Sequence, residues 1–171
     1  LQRLDGDYDE FRVDGLELIT DYLAAEHSFN TEKVWVLDRM VNIIDKRGGN
    51  IQIVHWIAQL LTHDAVDEQG EVSAPLGTKV LTARAVKVDG TVLYPKQSPN
   101  KDSLSIPGLE LGDFVEFETV AYHPPSGLFP GGFDTGRFYF KDFGTHFHRS
   151  ELVVLAASDV ELQIDRRGNC P

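Results

Sequence analysis

One cysteine stands in 171 residues, Cys170, so neither an internal disulfide nor a multi-cysteine zinc cage can form within the chain. Positive charge is also scarce: 16 Lys and Arg against 27 Asp and Glu leave a formal charge of −11. That balance argues against binding phosphate backbones or anionic membrane surfaces, both of which need clustered cations. No uninterrupted apolar run approaches the ~20 residues of a membrane-spanning helix. Gly-x-Ser-x-Gly elbows, phosphate-cradling glycine loops, internal repeats and low-complexity tracts are all missing. The chain opens Leu1-Gln2-Arg3 without an apolar signal segment, and we read it as a piece of a longer protein of unassigned compartment.

What is present suits a packed domain. Apolar residues make up 42% and aromatics 10%, which excludes global disorder. The first thirty residues form an acidic lead-in, with Asp5, Asp7, Asp9 and Glu10 ahead of a helical pattern. Asp14 is placed to cap a first turn with Glu17 three residues on, and Leu16, Ile19 and Leu23 recur at helical spacing. The spacing predicts a short amphipathic helix ending near His27.

From Val34 the chain turns to strand formers. Val34 to Ile44 places Trp35, Leu37, Val41 and Ile43 on one face under strict alternation. The Asp45–Asn50 stretch carries turn residues, and Ile51 to Leu61 reads as the returning strand, with a helical reading of Val54 to Leu61 left open. His63 to Gly70 reads as polar loop. Lys79 to Val88 is a strand with Val80, Arg84, Val86 and Val88 opposite Leu81, Ala83 and Ala85, closed by the Asp89-Gly90 hairpin turn and Thr91 to Tyr94. Residues 95–105 read as loop, Phe114 to Tyr122 as a strand, and 123–136 as a long Pro/Gly loop. Arg137 to Phe143, His148 to Ala156 and Val160 to Ile164 complete the expected strands. Many short strands behind one helix imply a mainly β, sandwich-like fold. The organisation is a lead-in over 1–30, a β-sandwich over 31–165, and a tail or linker over 166–171.

The stretch Ser105-Ile106-Pro107-Gly108-Leu109-Glu110-Leu111-Gly112-Asp113-Phe114-Val115-Glu116-Phe117 is the most distinctive. It resembles the signature of a bacterial domain of unknown function that immediately precedes transglutaminase-like domains in multidomain proteins. Val88-Asp89-Gly90-Thr91 and His148-Arg149-Ser150-Glu151-Leu152-Val153-Val154 agree with it, and Leu111 departs from it where proline is usual. The resemblance implies an immunoglobulin-like antiparallel β-sandwich with a helical or irregular lead-in and no established activity of its own. It also implies a downstream transglutaminase-like partner in the same chain, and is compatible with an extracytoplasmic bacterial location. Physically, Pro107-Gly108 suits a type II turn, and Gly112-Asp113 a second turn into the strand at Phe114. Phe114 and Phe117 fall on opposite faces, so one aromatic is expected to be partly exposed.

Catalytic and metal candidates are weak. Cys170 sits in a polar tail with no visible group to lower its thiol pKa, so it does not read as a nucleophile. His146 and His148, with Asp142 or His123 as further ligands, are the best metal set, yet two half-exposed histidines at a strand entrance explain them better. Asp5-Gly6-Asp7-Tyr8-Asp9 starts like a calcium loop but has Glu10 at the sixth position and Leu16 at the twelfth. Glu116 and Glu118 share a strand face and read as solvent-facing. No cofactor and no metal is expected. The leading reading is a non-catalytic accessory domain whose contact surface includes Leu128, Phe129 and Phe133 on the Pro/Gly loop, unless those groups cap the core. The alternative is an independent peptide- or carbohydrate-binding module that uses Trp56 or Tyr139.

Overall fold

The computed structural model describes residues 8–97, 103–128, 130–133 and 137–163. A 3-10 turn at Asp9–Phe11 leads into helix α1, Gly15–Leu23. Asp14 caps that helix, its carboxylate accepting from the amides of Leu16 and Glu17 at 2.9 and 3.3 Å. The helix stops four residues earlier than its spacing suggests, and His27 turns back to place Nε2 2.8 Å from the Tyr22 carbonyl.

Strands β1, Lys33–Ile44, and β2, Asn50–Leu60, form the expected hairpin, which excludes the helical reading of Val54 to Leu61. Helix α2, His63–Gln69, replaces the expected polar loop. Thr62 caps it by accepting from the Ala65 amide at 3.2 Å, and Ala65 is buried. At seven residues it is too short to display a helical period in sequence. Strands β3 (Glu71–Ser73), β4 (Thr78–Val86), β5 (Val92–Leu93), β6 (Lys96–Gln97) and β7 (Ser103–Ser105) follow. Strands β8 (Phe114–His123), β9 (His146–Phe147) and β10 (Ser150–Ala156) complete the order. The expected strand over Arg137 to Phe143 is irregular and holds one isolated bridge, Asp142 to Thr145; residues 160–163 are irregular too.

The fold is mainly β, with two sheets and a short N-terminal helix. The large sheet runs β10-β1-β2-β8-β4-β5, with β9 also paired to β1; the small one runs β3-β7-β6. Strands β9 and β10 lie parallel to β1, and the remaining pairs are antiparallel. Both faces of the large sheet are covered in part. One receives the N-terminal segment and α1, where Ile19 and Tyr22 pack on Val36, Leu37, Ile57 and Phe114. The other receives α2 and the small sheet, where Ala65, Val72 and Ile106 pack on Ala58, Val115 and Phe117. Phe114 and Phe117 do lie on opposite faces, but neither is exposed, because both faces are covered there.

Two β-bulges set which residue faces where. One between Trp35 and Leu37 puts Trp35 opposite Ala58 but Leu37 opposite Ile57, so these two point to opposite faces. Another between Val80 and Thr82 groups Val80 with Ala83 and Ala85 rather than with Arg84 and Val86. An extra residue inverts the alternation of everything beyond it, so strict alternation misassigned Trp35 and Val80.

The signature stretch is a structural corner. Gly108 and Gly112 take φ of 80° and 90°, the left-handed region that glycine enters without strain. The Gly112 amide donates to the Leu60 carbonyl at 2.7 Å, and Leu60 returns its own amide to Asp113 at 2.9 Å. The buried Asp113 carboxylate accepts from the Glu110 amide at 2.8 Å and from Lys87 Nζ at 3.0 Å.

Candidate functional site

The densest group of ionisable side chains lies under the N-terminal segment. Pairing sets His55 opposite Glu118, and Thr82 and Arg84 opposite Glu118 and Glu116, all on the face that α1 covers. His55 Nε2 lies 3.0 Å from Glu116 Oε1, and Arg84 Nε donates to Glu116 Oε2 at 2.6 Å. Glu118 Oε2 accepts from Arg12 Nη2 at 2.6 Å and from Thr82 Oγ1 at 3.1 Å. Burial by itself would raise the Glu116 carboxyl; the hydrogen bonds from His55 and Arg84 outweigh it and hold it below the usual carboxylate range.

Glu116 and Glu118 therefore do not face solvent. Their exposures are 2% and 1%, and that of His55 is 1%. Alternation correctly put both glutamates on one face, but it carries no record of what covers that face. Gly15 closes the lid: a Cβ there would sit 2.2 Å from Glu116 Oε1, so glycine lets the helix start directly on the carboxylate. Arg39 ties the segment down from the other side, donating to the Phe11 carbonyl at 2.6 Å and to Glu151 at 3.0 Å.

The opposite face is open along part of its length. Trp35 and Trp56 meet edge to face at 5.5 Å, and Phe117 and Phe147 extend the row at 5.6 Å from Trp56 and 6.4 Å from Trp35. Two cavities of about 570 and 590 Å³ flank this row and share Val54. The first runs from Trp56 past Gln52 and Thr119 to Leu76 and His123; the second is walled by Trp35, Phe147 and Tyr139, with Asp38 within it. Both fall in the size range of small-ligand sites. Tyr139 is 61% exposed and Trp56 half-buried, so the two aromatics singled out in the sequence line different ends of one trough. The sequence reading missed Trp35, which only the bulge turns to this side, and Asp38. The signal for Asp38 was partial: it is the one acid of the β1 strand, but Arg39 beside it and Asn42 make it one polar residue among several.

The other sequence candidates are dispersed. His146 stacks on Phe29 at 4.1 Å, while His148 meets Tyr22 and His27 edge-on at 5.0 and 5.4 Å. Burial, reinforced by His27, His146 and Arg149, pushes the His148 imidazole below its ordinary range. His123 pairs with Asn50 at the far end of the sheet from His146, which pairs with Val34, so those two cannot share a metal. On the Pro/Gly loop, Leu128 is 88% exposed and Phe133 half-buried, while Phe129 lies outside the described residues, as do Cys170, Asp5 and Asp7. The loop is fastened by backbone to the β1–β2 turn: the Gly131 amide donates to the Arg47 carbonyl at 3.1 Å, and a Cβ on Gly48 would strike the Gly132 carbonyl at 2.2 Å.

No protein-family profile and no curated protein sequence matches the chain. Among solved structures it is similar to a crystal structure described as a presumptive protease from Parabacteroides distasonis ATCC 8503, at 15% sequence identity and a TM-score of 0.42. The match covers 56% of this chain and 24% of that one, so the chain spans about a quarter of that protein's length.

Proposed function

We propose that this chain is a non-catalytic interaction domain, which holds a ligand or a neighbouring polypeptide on the open aromatic face of its large sheet. The observation that carries the reading is the division of labour between faces. His55, Glu116 and Glu118 of the acid–base cluster are buried to 1–2% exposure, whereas the aromatic row is flanked by cavities of ligand size. The resemblance of Ser105 to Phe117 supports a finer reading, an accessory role beside a transglutaminase-like domain in the same polypeptide. The exposed Leu128 then offers a contact point for that neighbour. Independent peptide or carbohydrate binding is the second reading, favoured by Trp56 and Tyr139 on the trough.

The test combines tryptophan fluorescence with turnover assays. Saturable change on titrating peptides or oligosaccharides, lost in Trp56→Ala, is expected for the trough. Thiol-dependent hydrolysis of peptide or glutamine substrates, abolished by Cys170→Ala, would overturn the non-catalytic reading.

A further inference from the structure

Asp38 is the unusual acid of this molecule. The fully buried carboxylates each accept a hydrogen bond from a cation: Asp113 from Lys87, Glu116 from Arg84, Glu118 from Arg12. Asp38 is half-buried, and its side chain receives no hydrogen bond or ion pair from any described residue. Its backbone is held in place, the amide donating to the Arg149 carbonyl at 2.9 Å, and its strand register sets it opposite Trp56. Burial pushes the carboxyl above the ordinary aspartate range, with no cation to offset the loss of water.

Its surroundings are those of a cation receptor. The cavity of about 590 Å³ brings Trp35, Phe147 and Tyr139 around Asp38, with Met40 and Val54 as an apolar wall. Asp142 adds a second acid at the rim, against a single cation, Arg137, which is exposed and forms no ion pair with either acid. The other nearby cation, Lys33, is committed to Glu68 at 2.8 Å while lying 5.2 Å from the Trp35 ring centre. Aromatic faces attract cations through their quadrupole, and a carboxylate in the same cavity adds charge to that attraction. An apolar wall suits an alkyl stem behind a charged head, the shape of a lysine side chain. The net charge of −11 favours a cationic partner over long range as well.

We propose that the Asp38 end of the trough binds the ammonium of a lysine side chain in a peptide partner. The ammonium sits between the Asp38 carboxylate and the aromatic walls, and the stem lies along Met40 and Val54. This rests on the reading of the trough as a binding surface, and names what it recognises.

The test uses the full chain and three probes: the blocked peptide Gly-Gly-Lys-Ala-Gly, its norleucine counterpart, and a neutral glucose oligosaccharide, each followed by tryptophan fluorescence and calorimetry. The lysine peptide is expected to bind at least about tenfold tighter than the norleucine peptide. Asp38→Asn is expected to abolish that preference without lowering the thermal midpoint, since the carboxylate supports no contact in the free chain. Tyr139→Ala, at an exposed position, should weaken the lysine peptide severalfold. Equal binding of the two peptides, a preference that survives Asp38→Asn, or binding of the oligosaccharide alone overturns the ammonium assignment and leaves the trough standing. Absence of binding by all three probes overturns both.

Discussion

The two faces of the large sheet are built from the same strands, and neighbouring residues on those strands meet opposite fates. On β8, Glu116 and Glu118 enter a sealed ionic cluster while Phe117 between them joins the aromatic row. On β2, His55 and Trp56 divide in the same way. One face is closed by a segment from far away in sequence, with Arg12 reaching Glu118 across 106 positions. The other is covered at one end by α2 and the small sheet and left partly open beside Tyr139. Pairing and accessibility are therefore separated: His55, Glu116 and Glu118 are paired and buried on one face, whereas the room on the other is lined by aromatics and holds the unpaired Asp38. Buried ion pairs add little net stability over apolar packing. We take their role here to be registration of the N-terminal segment, because Arg12 meets Glu118 and Thr82, Gly15 meets Glu116, and the Phe11 carbonyl meets Arg39.

The largest effect should come from Glu116→Ala, which strands His55 and Arg84 beneath the lid; a loss of ~3–5 kcal/mol in urea unfolding is expected. A loss below about 1 kcal/mol would mean that water reaches this face, and the contrast between faces would fail. Next is Gly15→Ala, whose Cβ would sit 2.2 Å from a carboxylate oxygen pinned by His55. Its cost is expected at ~1–3 kcal/mol, and an unchanged midpoint would show the helix free to lift.

The pH dependence should differ in sign between faces. Glu116 and Glu151 have an ordinary value of 4.5 and are held below it, Glu116 by His55 and Arg84, Glu151 by Arg149 and Arg39. Their contribution is thus complete above that value and lost as pH falls through the depressed ones. Asp38 has an ordinary value of 3.8 and is raised by burial, so the unfolded chain releases that proton first and stability falls as pH rises past it. Glu116→Gln should flatten the acid limb of a stability–pH curve, and Asp38→Asn should steepen it. The smallest effect belongs to Leu128→Ala: at 88% exposure it should change stability by no more than about 0.5 kcal/mol, measured by thermal melt. A larger loss would make the loop part of the core instead of a contact surface.

Much of the fold was legible because its signals are local. The Asp14 cap, the β1–β2 turn and the positive-φ glycines at Gly90, Gly108 and Gly112 each depend on a few adjacent residues. Arg137 to Phe143 failed for the opposite reason. Its run of aromatics, Phe138 to Phe140, looks like a strand, but a strand needs a partner edge, and that is not written in the segment itself. The candidate site was half legible: Trp56 and Tyr139 were named, Trp35 was sent to the wrong face by the bulge, and Asp38 was passed over as one acid among many.

By itself, then, the sequence determined a mainly β chain with one capped helix at its front, a glycine-cornered signature, and no means of building an internal disulfide. Those outcomes follow from composition, backbone preference and contacts within a few residues. Only the tertiary structure decided that Glu116 and Glu118 are buried, that Trp35 faces Trp56, and that Asp38 stands in a cavity with no cation paired to it. Each depends on a one-residue bulge or on a covering segment scores of residues away, and neither leaves a trace in the local alternation of side chains.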